Sequence, residues 1–241
     1  MTIEVRNLTK AYKDKVVVDD LSLQIQNGEF FALLGSNGAG KTTTIKMFSC
    51  LSAPTRGDAF LSEDSIVSAR EAVKQKINVS PQETAVAPNL TVQENLEFIA
   101  RIYGSGKEQA RNMALEIMAE FSLLDKAKTK AKTLSGGWQR RLSIAMALIS
   151  NPEILFLDEP TLGLDVRARR SLWKVLEDLK GKVTVVLTTH YLDEAEALAD
   201  RIGIMHQGRL QAIGTVNELK EQYDMESLED IFLALTEEGV Q

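Results

Sequence analysis

Apolar and polar positions alternate through Leu21, Leu23 and Ile25, the two-residue period of a half-buried strand, and Asn27-Gly28 beyond them predicts a tight hairpin turn. The next five residues, Phe30–Leu34, are continuously apolar, as a strand buried on both faces must be. Residues 35–40 interrupt the run, and a helix follows with Ile45, Phe48 and Leu51 on one face; turn-forming residues 54–57 close that unit. The middle of the chain changes period. Thr91-Val92-Gln93-Glu94 has the spacing of a capping box, and Val92, Leu96, Ile99 and Tyr103 recur at helical intervals up to Gly104. Ala110, Met113, Ile117 and Phe121 mark a second helix, and residues 135–149 a third that stops before Asn151-Pro152. Strand and helix then alternate again. Residues 154–157 precede a helix carrying Leu172, Leu176 and Leu179, and residues 183–187 precede a short helix at 192–199. Residues 202–205 and 210–213 flank His206-Gln207-Gly208-Arg209 as a hairpin. This order predicts an α/β fold, a single domain over residues 1–241. Its mostly parallel sheet, with an N-terminal antiparallel β subdomain, takes residues 1–86 and 151–241, and an inserted α-helical subdomain takes 87–150.

Composition narrows the class. The chain has 241 residues, 44% hydrophobic and 26% charged, enough to bury a globular core. Its 28 Lys and Arg against 34 Asp and Glu leave a net charge of −6, so no global positive field draws it to nucleic acid, and no nucleic-acid partner is expected. The one basic cluster, Lys126, Lys128, Lys130 and Lys132, reads as a solvated approach to a helix, with a phosphate- or lipid-facing surface as the alternative. The single cysteine, Cys50, lies among apolar neighbours and reads as an inert core thiol in a reducing compartment; with only two histidines, a structural zinc site is not expected. The first ten residues are polar and alternating, unlike a signal peptide, and no apolar run approaches the roughly 18 residues of a membrane span. A cytosolic chain is expected, with any membrane task carried by another polypeptide.

The interruption after residue 34 carries the strongest chemistry. Gly35-Ser36-Asn37-Gly38-Ala39-Gly40-Lys41-Thr42 matches G-x-x-x-x-G-K-[ST]. Glycines let successive backbone N–H groups converge on an anion, and the following helix adds its positive end. Lys41 can reach the β- and γ-phosphates of a nucleotide, and the Thr42 hydroxyl can ligate magnesium. Its place between a buried strand and a helix makes the sheet a P-loop NTPase core. A second site is Ile154-Leu155-Phe156-Leu157-Asp158-Glu159, which puts two carboxylates at the end of a parallel strand, where open α/β sheets bind ligands. Taken alone, such a pair also reads as a strand end meeting solvent. With the phosphate loop, Asp158 suits magnesium and Glu159 suits a general base. Leu134-Ser135-Gly136-Gly137 opens a helix, as either a cap and a glycine turn or a second anion-ready N-terminus.

In this order the elements resemble the ATP-binding cassette, the nucleotide-binding domain of ABC transporters, over nearly the whole chain. Further landmarks match: Thr9-Lys10-Ala11-Tyr12, Ser80-Pro81-Gln82-Glu83, Thr161-Leu162-Gly163-Leu164-Asp165 and Thr188-Thr189-His190. The resemblance implies that Tyr12 stacks on adenine, that Gly35, Ser36, Asn37, Gly38, Ala39, Gly40, Lys41, Thr42 and Thr43 bind ATP, and that Gln82 senses the γ-phosphate. It implies Mg2+ on Thr42, Gln82 and Asp158, and catalytic roles for Glu159, His190 and Lys41. Read by themselves, Tyr12 is a packing ring, Gln82 a loop amide and His190 a cap or core histidine. One position departs from the pattern. Trp138 stands where many members have Gln after Leu-Ser-Gly-Gly, which bears on the packing of the signature helix.

The resemblance also implies partners. Ser135, Gly136 and Gly137 would complete the site of a second ATPase subunit, in a homodimer or heterodimer with two nucleotides between the copies. A separate integral-membrane permease would sit near Gln82 and the helical subdomain, placing the chain peripherally on the inner face of the plasma membrane. The features of the chain, including the amphipathic segment 227–236, resemble stand-alone ATPase subunits of bacterial exporters for drugs, sodium or polysaccharide. A soluble non-transport cassette ATPase is the alternative, and a non-hydrolysing regulator a further one that Glu159 with His190 argues against. A GTPase lacks its base-reading Asn-Lys-x-Asp here.

Overall fold

The computed structural model describes residues 2–236. In chain order the strands and helices begin β1 (Ile3–Tyr12), β2 (Lys15–Ile25), β3 (Phe30–Leu34), α1 (Lys41–Phe48), β4 (Arg56–Leu61), β5 (Asp64–Ser65), α2 (Arg70–Lys76) and β6 (Ile77–Ser80). Three helices follow without an intervening strand: α3 (Val92–Ile102), α4 (Lys107–Glu120) and α5 (Gly136–Leu148). The chain then runs through β7 (Ile154–Asp158), α6 (Val166–Glu177), β8 (Thr184–Thr189), α7 (Leu192–Leu198), β9 (Arg201–His206), β10 (Arg209–Gly214), α8 (Val216–Tyr223) and α9 (Leu228–Thr236). β2, β1, β4 and β5 form an antiparallel sheet in that order. The second sheet has the order β10-β9-β3-β8-β7-β6 and is parallel except for the β9–β10 hairpin. The fold is the expected α/β P-loop core with its antiparallel β subdomain and helices.

The continuous apolar strands are explained by two cores. Phe30, Ala32 and Leu34 of β3 enter one cluster, with Leu155 and Leu157 of β7; Phe31 and Leu33 enter the other, with Ile154 and Phe156. Each strand therefore buries both faces, at roughly 1.5–3 kcal/mol per large side chain. The first cluster continues into the helical block through Val92, Leu96, Ala114, Met118 and Leu142. The second is shared with the antiparallel sheet through Ile3, Leu21, Leu23 and Ile25, and with Ile45 and Phe48 of α1. Capping at Thr91 is reciprocal, Glu94 N–H to the Thr91 hydroxyl and Thr91 N–H to the Glu94 carboxylate. Leu228 and Ile231 of α9 are buried in the first core, so this helix packs on its own domain.

Three local expectations are corrected. Asn27-Gly28 does form a turn, with Gly28 at φ 73°, but not a hairpin: β2 and β3 lie in different sheets. Leu51 does not join the face of Ile45 and Phe48; the chain turns at Cys50 (φ 59°), beyond the end of α1, and leaves Leu51 73% exposed. Turn-forming residues 54–57 run into a strand, since β4 already begins at Arg56.

Candidate active site

β3, β8 and β7 are consecutive neighbours in the parallel sheet, so their carboxyl ends bring together the phosphate loop, His190 and the pair Asp158-Glu159. They border a cavity of about 360 Å³ lined by Val17, Asn37, Gly38, Gly40, Lys41, Thr42, Thr43, Gln82, Glu159, Leu162 and His190. Two glycines of the loop are required by shape. A Cβ at Gly35 would lie 2.4 Å from the Met205 carbonyl oxygen; Gly40 has φ 107° and its Cβ would lie 2.7 Å from the Val17 carbonyl oxygen. No side chain caps α1 at Gly40, which leaves first-turn N–H groups open toward an anion.

The charged groups are tightly arranged. Lys41 is buried and its Nζ donates to the carbonyls of Gly35 (2.7 Å) and Ser36 (3.1 Å). Glu159 Oε1 lies 3.6 Å from Lys41 Nζ and 3.3 Å from His190 Nδ1. Burial pushes the Lys41 pKa down, against the raising effect of Glu159 and Asp158. Asp158 Oδ1 accepts from the hydroxyls of Thr42 (3.1 Å) and Thr188. Thr188 Oγ1 in turn accepts from the Glu159 N–H at 3.1 Å. The same N–H also donates to Thr188 O at 3.0 Å, and Glu159 sits at φ 46°, a left-handed conformation uncommon outside glycine. No cluster of three or more His, Cys, Asp or Glu able to hold a metal occurs among the described residues. A hydroxyl and a carboxylate in contact still fit magnesium, which takes few protein oxygens and completes its shell with phosphate and water. In the sequence Thr188 stands out only as a neighbour of His190, and nothing local signals its bonds to residues 29 and 30 positions away.

Not every expected residue meets at this cavity. Gly35, Ala39 and Asp158 are buried supports behind it, and Ser36 is exposed. Tyr12, at the end of β1, is 47% exposed with the Lys10 ammonium 4.9 Å from its ring centroid, and it does not line the cavity. Ser135 and Gly137 line a separate cavity of about 220 Å³ with Trp138, Arg141, Arg167, Ala168 and Ser171, while Gly136 is exposed. Trp138 is half-buried, with Lys126 Nζ 5.0 Å and Arg141 Cζ 4.9 Å from its ring centroid. Arg141 is held elsewhere by the carbonyls of Phe121 and Ser171, so the substitution at the signature is built into the packing of α5.

A glycine loop on a buried parallel strand, with acids on a nearby strand of the same sheet, defines a nucleotide-phosphate-binding α/β protein. Residues 18–162 match the family model described as ABC transporter, and the chain belongs to this family as an ATP-binding, ATP-hydrolysing subunit. It is 41% identical over 218 residues to the linearmycin resistance ATP-binding protein LnrL of Bacillus subtilis, covering 90% of this chain and 70% of that one. It is 42% identical over 221 residues to the Nod factor export ATP-binding protein I of Burkholderia orbicola, covering 91% and 72%. A dimeric ATP-binding cassette in a post-hydrolysis state, bound to ADP and phosphate, superposes with a TM-score of 0.79 at 30% identity, covering 88% of this chain and 98% of that one.

Proposed function

We propose that this cassette hydrolyses ATP in a two-copy clamp and passes the resulting motion to a separate membrane permease that exports its cargo. The phosphate loop, residues 35–43, grips the nucleotide, and Tyr12 stacks on the adenine. Lys41, whose burial disfavours its charge, exchanges loop carbonyls for phosphate oxygens and is kept protonated by them. Thr42, Gln82 and Asp158 would hold Mg2+, which neutralises charge on the β- and γ-oxygens when bound. Glu159 takes a proton from the attacking water, and His190, 3.3 Å from its carboxylate, orients it and faces the γ-phosphoryl. Ser135, Gly136 and Gly137 serve the nucleotide of the opposite copy. Residues 87–150 act as the helical signature subdomain, and the remainder as the nucleotide-binding core.

One observation carries this reading: Glu159, Lys41 and His190 converge in the cavity that the phosphate loop lines, whereas Ser135 and Gly137 line another. A dimeric relative and relatives named for resistance and export support the clamp and the exporter. No helix of the described residues is long and apolar enough to cross a membrane, which fits a permease on another chain and a peripheral position at the inner face of the plasma membrane. Replacing Glu159→Gln tests the assignment. Turnover should vanish while an ATP-bound dimer accumulates on a sizing column, and near-normal hydrolysis would sink the role of Glu159.

A further inference from the structure

Arg140 lies in α5, three residues after the signature glycines, and is only 3% exposed. Burying a guanidinium is costly; Asp158 and Glu194 offset part of that cost at a distance, but among the described residues no carboxylate forms an ion pair with this one. Its acceptors are main-chain carbonyls. Nη1 donates to Pro81 O at 2.6 Å; Nη2 donates to Gln82 O and, at 3.5 Å, to Glu159 O. Pro81 and Gln82 follow β6, and Glu159 follows β7, so one side chain bridges two loops on adjacent strands to the helix that starts at the signature. A Leu or Met would fill the same space in α5 without the desolvation cost. The planar fork is the feature that only Arg supplies, because its donors point at fixed angles to several acceptors at once. Both bridged residues, Gln82 and Glu159, line the nucleotide cavity, whereas Arg140 does not.

We propose that Arg140 is a positioning residue for hydrolysis, tying the Gln82 loop and the corner at Glu159 to the signature helix. The inference rests on the reading of Glu159 as general base and Gln82 as γ-phosphate contact. Because Arg140 acts through the backbone of these two residues, its loss misplaces the attacking water more than it weakens nucleotide binding. Displacements of about 1 Å cost on the order of a hundredfold in rate.

The test uses the full chain, steady-state MgATP hydrolysis and a direct ATP-affinity titration. Arg140→Lys keeps a buried cation but provides one point donor in place of the fork, and should lower kcat by roughly tenfold with KM and ATP affinity within about twofold. Arg140→Met should lower kcat further with the same split. A kcat within twofold of the parent in Arg140→Lys overturns the proposal, as does a parallel loss of kcat and affinity, which is the mark of a purely structural role. If the Met variant does not fold, the Lys variant decides alone by the same criteria. Glu159→Gln separates the premises: hydrolysis persisting there overturns the base assignment, whereas its loss beside full turnover in Arg140→Lys overturns only the role of Arg140.

Discussion

Thr188→Val isolates the one hydroxyl that joins both acidic residues of the site. Thr188 is fully buried; its Oγ1 donates to Asp158 Oδ1 and accepts from the Glu159 N–H at 3.1 Å. Valine keeps the volume and replaces the hydroxyl with a methyl group facing a carboxylate. A hydrogen bond to a charged group contributes about 1.5–3 kcal/mol. The loss is not compounded by orphaned groups, since Glu159 N–H retains Thr188 O at 3.0 Å and Asp158 retains Thr42 at 3.1 Å. At about 2.1 cal/mol/K per residue over 241 residues, the unfolding entropy is roughly 0.5 kcal/mol/K, so Tm should fall by about 3–6 °C. Catalysis should suffer separately, because the left-handed corner at Glu159 loses its second anchor. A tenfold fall in kcat, about 1.4 kcal/mol, is expected. Thr188→Ser is the control. It keeps both bonds and loses a methyl, about 1 kcal/mol, so it should melt slightly lower with kcat retained. Scanning fluorimetry and a phosphate-release assay on the three proteins decide the matter. Equal kcat in the Val and Ser variants, or a Val variant melting within 1 °C of the parent, refutes the anchoring argument.

Two further outcomes follow from the packing. Glu194 in α7 is fully buried, and burial pushes its carboxyl pKa up against the lowering effects of Thr189, Thr161 and the Trp173 indole N–H, the last at 3.2 Å. The folded state therefore holds a proton that the unfolded state has released between the ordinary glutamate range and the raised value, and stability declines as pH rises through that window. Glu194→Gln should remove this decline and melt higher than the parent at pH 8, by about 1.4 kcal/mol per unit of elevation; parallel melting curves from pH 5 to 8 would contradict it. Gly35→Ala forces a Cβ to 2.4 Å from the Met205 carbonyl oxygen, a backbone atom of β9 that cannot rotate away. It should lower Tm by several degrees and weaken ATP binding at least tenfold in a titration, and parent-like affinity would show that the loop tolerates the shift.

Much of the architecture was legible because its signals are local. The spacing of residues 35–42 names a phosphate loop, the unbroken run Phe30–Leu34 names a two-faced strand, and Thr91 with Glu94 names a helix start. Other elements escaped for identifiable reasons. β6 is only four residues long, so its alternation of Ile77 and Val79 with Asn78 and Ser80 offers two apolar positions, too few to stand out as a period. Turn chemistry at Asn27-Gly28 fixes a local φ but not which sheet the next strand joins. Thr188 and Arg140 act through bonds to residues 19 to 59 positions away, and no pattern of spacing encodes such pairs. The roles of Tyr12 and of the signature residues come from resemblance, and within one chain none of them lines the cavity of the phosphate loop.

That separation has a mechanical consequence under the two-copy reading. Ser135 and Gly137 would touch the nucleotide held by the opposite copy, yet α5, which they begin, is bound through Arg140 to the Gln82 loop and Glu159 of their own copy. Under that reading, a phosphate pulling on one signature would bear on Glu159 of the other site. Coupling of this kind is reciprocal in binding free energy, so each site would sense whether its counterpart is filled. Weakening the Arg140 bridge should then lower cooperativity between the two nucleotides as well as turnover. A Hill coefficient for ATP hydrolysis that stays unchanged in Arg140→Lys while kcat falls would confine the bridge to its own site and leave communication between copies to the remaining contacts of α5.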